Sequence, residues 1–318
     1  MSVARTADGE TRRVLVRGMR LEACDVLSVE LADPTGAPLP AWEPGAHIDV
    51  IIDGVGTAQY SLCGPLGAPT WRLGILHQPE GRGVSRYIHG ALRPGASLDV
   101  RGPRNHFRLD PAGEYLFIAG GIGITPLLPM IAQARAQGAR WRLFYGGRSR
   151  GSMAFVQELG DAGEGVHLFP VDERGFLPVA DCLQSAPAAA VYCCGPQGLL
   201  EAVEEGCARA GRPAPRIERF SAPVAAQAAA QPFSVVLARS GRTLDVPADR
   251  SIADVLDEAG VFVPTSCREG ICGSCETRVL DGAVDHRDGL LSEEERRSGQ
   301  TMMVCVSRAC GTRLTLDL

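Results

Sequence analysis

The sequence predicts three successive domains: an antiparallel β-barrel, a doubly wound parallel α/β domain, and a small α+β domain built around a cysteine cluster. Three observations predict this. The first third alternates apolar and polar residues with a period of two and is crowded with turn clusters. From about Gly113, buried-strand runs alternate with helical patterns. Ser221 to Pro232 then carries no charge and no bulky core residue beyond one valine, and three cysteines follow within the nine residues from Cys267 to Cys275. The boundaries expected are 1–110 for the barrel, 111–220 for the α/β domain, 221–232 for a linker and 233–318 for the cysteine domain. A chain of 318 residues suits two or three cores.

In order, "TRRVLVRGMRLEACDVLSVELAD" and "HIDVII" read as strands, separated by turn clusters such as "PTGAPLP", "GPLGAPT" and "PEGRG". "EYLFIA" is a continuous buried strand, Pro126 to Gln137 a helix that Pro126 starts at its first position, and Gly138 its stop. "RWRLFYGG" is the next strand and "SMAFVQELGD" the next helix; "AAVYCCGP" is a third strand, leading into the pattern "QGLLEAVEEGCARAG". Beyond the linker, "FSVVLARSGRTLDVPAD" reads as a hairpin. "SIADVLDEAG" reads as a helix capped by Ser251, with Asp254 at N3 and Gly260 as its stop.

Hydrophobic residues make up 45% and charged residues 22%, an ordinary soluble globular mix. A net charge of −5 gives no reason to expect nucleic acid or an anionic membrane. Lysine is absent, so chemistry on a lysine amine is excluded. "YLFIAGGIGITPLLPMIAQA" is uncharged and long enough to span a bilayer, but three glycines and two prolines break it into strand, turn and helix start. The N-terminus shows no apolar run of the secretory kind, and a cytoplasmic location is expected. Eleven cysteines in that compartment read as redox or metal ligands and buried thiols instead of disulfides.

Cys267, Cys272 and Cys275 have the spacing C-x4-C-x2-C, and Cys305 follows after 29 intervening residues. That is the plant-type [2Fe–2S] pattern. Four thiolates must converge on two irons; one loop supplies three and a distant strand the fourth. Gly270 and Gly273 let the loop turn tightly and aim backbone N–H groups at the sulfurs. A structural zinc site would pair two C-x2-C knuckles or add histidines, and a Rieske centre would need two histidine ligands; neither pattern occurs.

With that motif the chain resembles the phthalate dioxygenase reductase and vanillate O-demethylase reductase family, the flavin, NAD and [2Fe–2S] reductases of two-component Rieske oxygenases. The resemblance runs over essentially the whole chain and implies a β-grasp ferredoxin domain at the C-terminus. "HRDGLLSEEER" also resembles the family, where it is a structural turn and helix, so His286 is not expected as a ligand. "QYSL" matches the R-x-Y-S motif. The match implies that Tyr60 lies against a flavin ring and that Ser61 and Leu62 border it. It also implies that the strand Ile75, Leu76, His77 runs along the flavin, and that Gly83, Val84 and Ser85 hold its phosphate at a helix start. No segment for an adenine half is evident, which favours FMN. "AGGIGITP" matches the pyridine-nucleotide loop, implying Gly120, Gly121 and Gly123 beneath the nucleotide and Thr125 at the flavin–nicotinamide junction. Cys194, Gly195 and Pro196 match the C-G-P turn beside the nicotinamide, Arg148 lies near the adenosine ribose, and Phe220 of "ERF" covers the flavin edge. The remaining thiols, Cys24, Cys63, Cys182, Cys193, Cys207 and Cys310, read as buried small hydrophobes.

The family implies an electron path from NADH through FMN to the cluster and on to a terminal Rieske oxygenase partner. NADH is expected over NADPH, with Arg148 and Arg150 in a solvated loop. A haem monooxygenase is the competing acceptor. A redox sensor without turnover is the non-catalytic alternative, and it leaves the hydride-donor segments without a use. One departure stands out. The arginine of R-x-Y-S falls at Ala58, which leaves Arg82 or Arg86 to meet the flavin phosphate.

Overall fold

The structure is a computed structural model that describes residues 11–160, 163, 165–221 and 231–318. Most of the expected linker, 222–230, lies outside the described residues. The chain divides between Glu218 and Arg219 into two compact units.

The first unit opens with six antiparallel strands: β1 (Thr11–Ala23), β2 (Val26–Ala32), β3 (Ala46–Ile52), β4 (Gly56–Ser61), β5 (Trp71–Leu76) and β6 (Ser97–Asn105). Their order is β4-β3-β6-β1-β2-β5. A bridge between Leu62 and Leu73 draws the two edges together, so the sheet curls toward a barrel. The period-two pattern sends Val14, Val16, Val29, Leu31, Ile48, Val50 and Leu73 into one core. Helix α1 (Val84–Gly90) plugs the barrel with Val84 and Ile88.

A parallel sheet follows, made of β7 (Glu114–Gly120), β8 (Arg140–Gly147), β9 (Val166–Pro170), β10 (Ala190–Cys194) and β11 (Arg216–Glu218), in the order β11-β10-β7-β8-β9. Its helices are α2 (Ile124–Ala136), α3 (Val156–Gly160), α4 (Val171–Arg174), α5 (Val179–Ser185) and α6 (Gln197–Arg209). Alternate residues of β7 serve two cores. Tyr115, Phe117 and Ala119 face α2, while Leu116 and Ile118 face α5 and α6. The α2-side core also takes in Val26, Cys63 and Phe107, so the barrel and the parallel sheet are welded through shared apolar contacts.

Two expectations fail here. Helix α2 begins at Ile124 after a 3₁₀ turn over Gly121–Gly123, so Pro126 is its third residue and not its first. First-turn N–H groups have no intrahelical partner, which makes a proline harmless there. "SMAFVQELGD" is not one helix: a 3₁₀ turn ends at Ser152, Phe155 takes a left-handed φ of 63°, and only Val156–Gly160 is helical.

The second unit contains β12 (Phe233–Leu237), β13 (Thr243–Val246), α7 (Ile252–Glu258), β14 (Glu276–Asp281), β15 (Val284–Asp285), α8 (Glu293–Ser298), β16 (Thr301–Met303), β17 (Arg308–Ala309) and β18 (Arg313–Leu316). The main sheet runs β13-β12-β18-β14-β16, with β12 and β18 parallel at its centre and Ile252, Ala253 and Leu256 of α7 packed in the same core. This is a β-grasp. Ser251–Asp254 and Ser292–Glu295 form capping boxes that start α7 and α8.

Candidate functional site

In the second unit, Cys267, Cys272, Cys275 and Cys305 are all buried, each at most 7% exposed. The Cys305 thiol interacts with those of Cys267 and Cys275, and the Cys272 thiol with that of Cys267, so the four thiols form one connected group. The N–H of Cys267 donates to Cys272 Sγ at 3.5 Å and that of Glu269 to Cys267 Sγ at 3.3 Å. Such donors stabilise negative charge on cluster sulfurs. The loop manages this through left-handed backbone at Arg268, Gly270 and Gly273. A Cβ at Gly270 would stand 2.5 Å from Val306 and 3.0 Å from the Asp288 backbone. Cys305 occupies the turn just past β16, not a strand.

Among the described residues no three His, Cys, Asp or Glu side chains converge as a single metal ion would need. The thiol contacts nonetheless bring the four cysteines together, and a two-iron cluster, each iron taking two thiolates, fits that wider grouping.

Asp288 is a supporting residue that periodicity could not reveal. It is 2% exposed, accepts from the N–H groups of Leu290 and Leu291 at 3.2 and 2.8 Å, and braces the turn against Gly270. His286 lies 3.6 Å from its carboxylate, on the turn and not among the thiols. Cys24 and Cys310 are exposed, contrary to the buried reading, because both fall in turns; Cys63, Cys182, Cys193 and Cys207 are buried as expected.

In the first unit, Tyr60 and Ser61 end β4, with Leu62 fully buried beyond them. Ala58 and Tyr60 pack against the barrel core. Burial pushes the Tyr60 phenol up, and the positive charge of Arg82 offsets this in part. The end of β5 is tied to α1: Ser85 Oγ accepts from the Gln78 N–H at 3.2 Å, and His89 Nε2 lies 3.0 Å from the Ile75 carbonyl. His77 and His89 have ring centroids 4.9 Å apart. Gly83 precedes α1 with φ 104°, a conformation glycine alone adopts readily.

The turns after β7 and β10 meet backbone to backbone. A Cβ on Gly123 would stand 2.2 Å from the Cys194 carbonyl oxygen, and one on Gly120 would stand 2.5 Å from Pro196. Gly195 is equally tight against Gly120, at 2.9 Å. Gly121 differs: its φ is 54° and nothing lies within 4 Å of its Cβ direction, which leaves an open cradle. Thr125 is buried at the start of α2, its hydroxyl donating to Ile122 O at 2.9 Å. Arg148 pairs with Asp25 at 3.4 Å, and Arg150 reaches both carboxylate oxygens of Glu173 at 3.0 and 3.1 Å. Phe220 is exposed and falls in the second unit.

Glu218 adds a carboxyl to this region. It ends β11 opposite Cys194, and Ser61 Oγ donates to its Oε2 at 3.5 Å. The residue is half-buried, but its carboxyl points inward, and burial pushes its pKa up to about 8. In the sequence, Glu218 with Arg219 and Phe220 matches the family's E-x-F ending, which implies a place at the flavin edge.

A barrel sharing a core with a doubly wound sheet, followed by a four-thiol β-grasp, defines a flavin- and nucleotide-type oxidoreductase with an iron–sulfur domain. The comparisons agree. The family model for a 2Fe-2S iron-sulfur cluster binding domain matches residues 235–310. Phenoxybenzoate dioxygenase subunit beta of Ectopseudomonas oleovorans is 43% identical over 300 residues, 93% of this chain and 94% of its own. The solved structure of phthalate dioxygenase reductase, described as a modular structure for electron transfer from pyridine nucleotides to [2Fe-2S], is 37% identical. It has a TM-score of 0.70, with 98% of each chain covered. An intact type IV self-sufficient cytochrome P450 monooxygenase is 45% identical with a TM-score of 0.89 over 97% of this chain, which spans only 41% of that longer one. The chain belongs to the phthalate dioxygenase reductase family of flavin and [2Fe–2S] oxidoreductases. Among the described residues no helix is long and apolar enough to cross a membrane.

Proposed function

We propose that this protein is the NADH-dependent reductase component of an oxygenase system, carrying FMN and one [2Fe–2S] cluster and delivering electrons to a terminal oxygenase. The observation that carries the reading is the connected group of four buried cysteines in a chain whose first unit combines a barrel with a nucleotide-type sheet. A flavin accepts a hydride as an electron pair and releases electrons singly, which suits it to stand between a nicotinamide and a one-electron cluster.

The protein's residues bind and orient. Tyr60, Ser61 and Leu62, with Ile75, Leu76 and His77, border the isoalloxazine in this reading, and Gly83, Val84 and Ser85 receive the phosphate at the start of α1. The Ser85 hydroxyl is engaged by Gln78, so backbone N–H groups at the start of α1 receive the phosphate in this reading. Gly120 and Gly123 serve by letting the Cys194-Gly195-Pro196 turn close against them, while Gly121 offers the nucleotide an open surface. Thr125 borders the nicotinamide and Arg148 the ribose. Arg148 and Arg150 each face a carboxylate that would repel a 2′-phosphate, which supports NADH over NADPH. Cys267, Cys272, Cys275 and Cys305 hold the cluster. The domains are 1–110, 111–220 and 233–318, joined by a linker at 221–232. Seven cysteines left as thiols beside the four ligands support a reducing, cytoplasmic compartment.

The acceptor can be read in two ways. Dioxygenase relatives favour a Rieske oxygenase, whereas the 45% identity with part of a self-sufficient cytochrome P450 favours a haem partner. Anaerobic titration with NADH should bleach flavin and cluster bands in turn. Steady NADH oxidation should then follow addition of the partner. A colourless protein with one bound zinc and no response to NADH would overturn the assignment. Transfer to a purified Rieske oxygenase but not to a P450 haem domain, or the reverse, decides the acceptor.

A further inference from the structure

Gly74, in the middle of β5, has an ordinary backbone angle but no room. A Cβ there would stand 2.6 Å from Thr125 Cγ2 and 3.1 Å from both Cε2 and Cζ of Phe155. The glycine is therefore required by space: the backbone of the barrel strand, the Thr125 methyl and the Phe155 ring meet at one point. Phe155 is 3% exposed and reaches that point from a left-handed backbone, φ 63°, which a bulky residue adopts only where its surroundings hold it.

What holds it is Arg72, one turn of the strand pleat away. Its guanidinium lies 5.1 Å from the Phe155 ring centroid and forks onto Glu158 Oε2 and Oε1 at 2.9 and 3.0 Å. The same group donates to the Cys63 carbonyl at 2.6 Å. Arg72, Cys63 and Gly74 belong to the barrel; Phe155, Glu158 and Thr125 belong to the parallel sheet and its connections. A planar fork fixes both distance and angle between the surfaces it joins.

We propose that Phe155 and the Arg72–Glu158 pair form a clamp that seats Thr125 against Gly74 and thereby sets the separation of nicotinamide and flavin for hydride transfer. Phe155 and Arg72 are positioning residues that act through Thr125. The proposal rests on the reading that Thr125 borders the nicotinamide and that β5 runs along the flavin. Reaction rates are steep in this separation, since a displacement near 1 Å costs on the order of 100-fold.

The test is anaerobic stopped-flow reduction of the flavin by NADH, resolving the limiting rate from the nucleotide Kd, in the full-length holoprotein. Gly74→Ala should slow the limiting rate about 10- to 100-fold, with the Kd for NADH moved less than about threefold. The long-wavelength charge-transfer absorbance should weaken in parallel. Thr125→Ser in the Gly74→Ala background removes the methyl that the new Cβ meets and keeps the hydroxyl, so it should restore most of the rate. Arg72→Ala should slow the same step without adding any atom. The proposal is overturned if Gly74→Ala and Arg72→Ala are both reduced at the wild-type limiting rate, or if Thr125→Ser leaves the Gly74→Ala defect unrelieved. It is also overturned if the variants simply lose their flavin. A wild-type protein that dithionite reduces but NADH does not would overturn the electron-transfer reading beneath it as well.

Discussion

Three of the four thiols in the second unit come from nine consecutive residues, whereas Ser61 and Glu218 in the first unit meet across 157 positions of sequence. The cysteine loop is short, and left-handed turns at Arg268, Gly270 and Gly273 fold it on itself. The residues proposed for flavin and nucleotide instead hang from β4, β5, α1 and the turns after β7 and β10, and those two turns touch backbone to backbone. One site depends on covalent proximity, the other on packing. The first should therefore fail through its ligands and the second through added volume.

The largest effect is expected where the local site is broken at its single distant member. Cys305→Ser should abolish the cluster's visible absorption and lower electron delivery to the partner by more than about 100-fold, beyond the range for outer-shell changes. NADH should still reduce the flavin. A variant that keeps the cluster and full delivery would show that another residue supplies the fourth ligand.

Gly123→Ala tests the other side of the comparison. Its Cβ would stand 2.2 Å from the Cys194 carbonyl oxygen, so the backbone turns must part. Flavin reduction by NADH should slow by about 100-fold and stability fall by about 1–3 kcal/mol, while the cluster spectrum stays intact. Unchanged reduction kinetics would mean that this close approach is incidental to nucleotide binding.

Ala58→Arg restores the family's arginine at a half-buried position beside Tyr60. A charge-assisted hydrogen bond of about 1.5–3 kcal/mol corresponds to FMN binding roughly 10- to 150-fold tighter, read by fluorescence titration. An unchanged Kd would indicate that another group already fills the role.

A pH-dependent effect concerns Glu218. Its folded pKa of about 8 lies above the ordinary 4.5, so between those values the folded protein holds a proton that the unfolded chain releases. Stability from this group is full below about pH 4.5 and is lost as pH rises toward 8, at up to about 1.4 kcal/mol per pH unit. Glu218→Gln should therefore gain on the wild type between pH 5 and pH 8, seen as a widening difference in Tm. A pH-independent difference would mean that the carboxyl is ionised in the folded protein.

Much of the fold was legible because its signals are local. The two-residue period of β1 and β2, the buried run of β7 and the Ser251 capping box each depend on residues a few positions apart, as does the cysteine spacing. The helix expected from Ser152 failed for the complementary reason. Its residues have reasonable helical propensity, but Phe155 takes a left-handed backbone and packs its ring against Gly74 of β5, a contact no local pattern records.

By itself the sequence determined the order of the three domain types and the four cysteines, since strand alternation and ligand spacing follow from bond geometry along one chain. Only the tertiary structure decided that Gly120 and Gly123 serve close backbone packing while Gly121 stays open, and that Glu218 turns inward beside Ser61. The same holds for Asp288 bracing the cluster loop and for Arg72 forking onto Glu158 over Phe155. Those outcomes depend on which backbones approach within a few ångströms across long sequence separations. Excluded volume and burial then select the partners, and neither leaves a period or a spacing in the sequence.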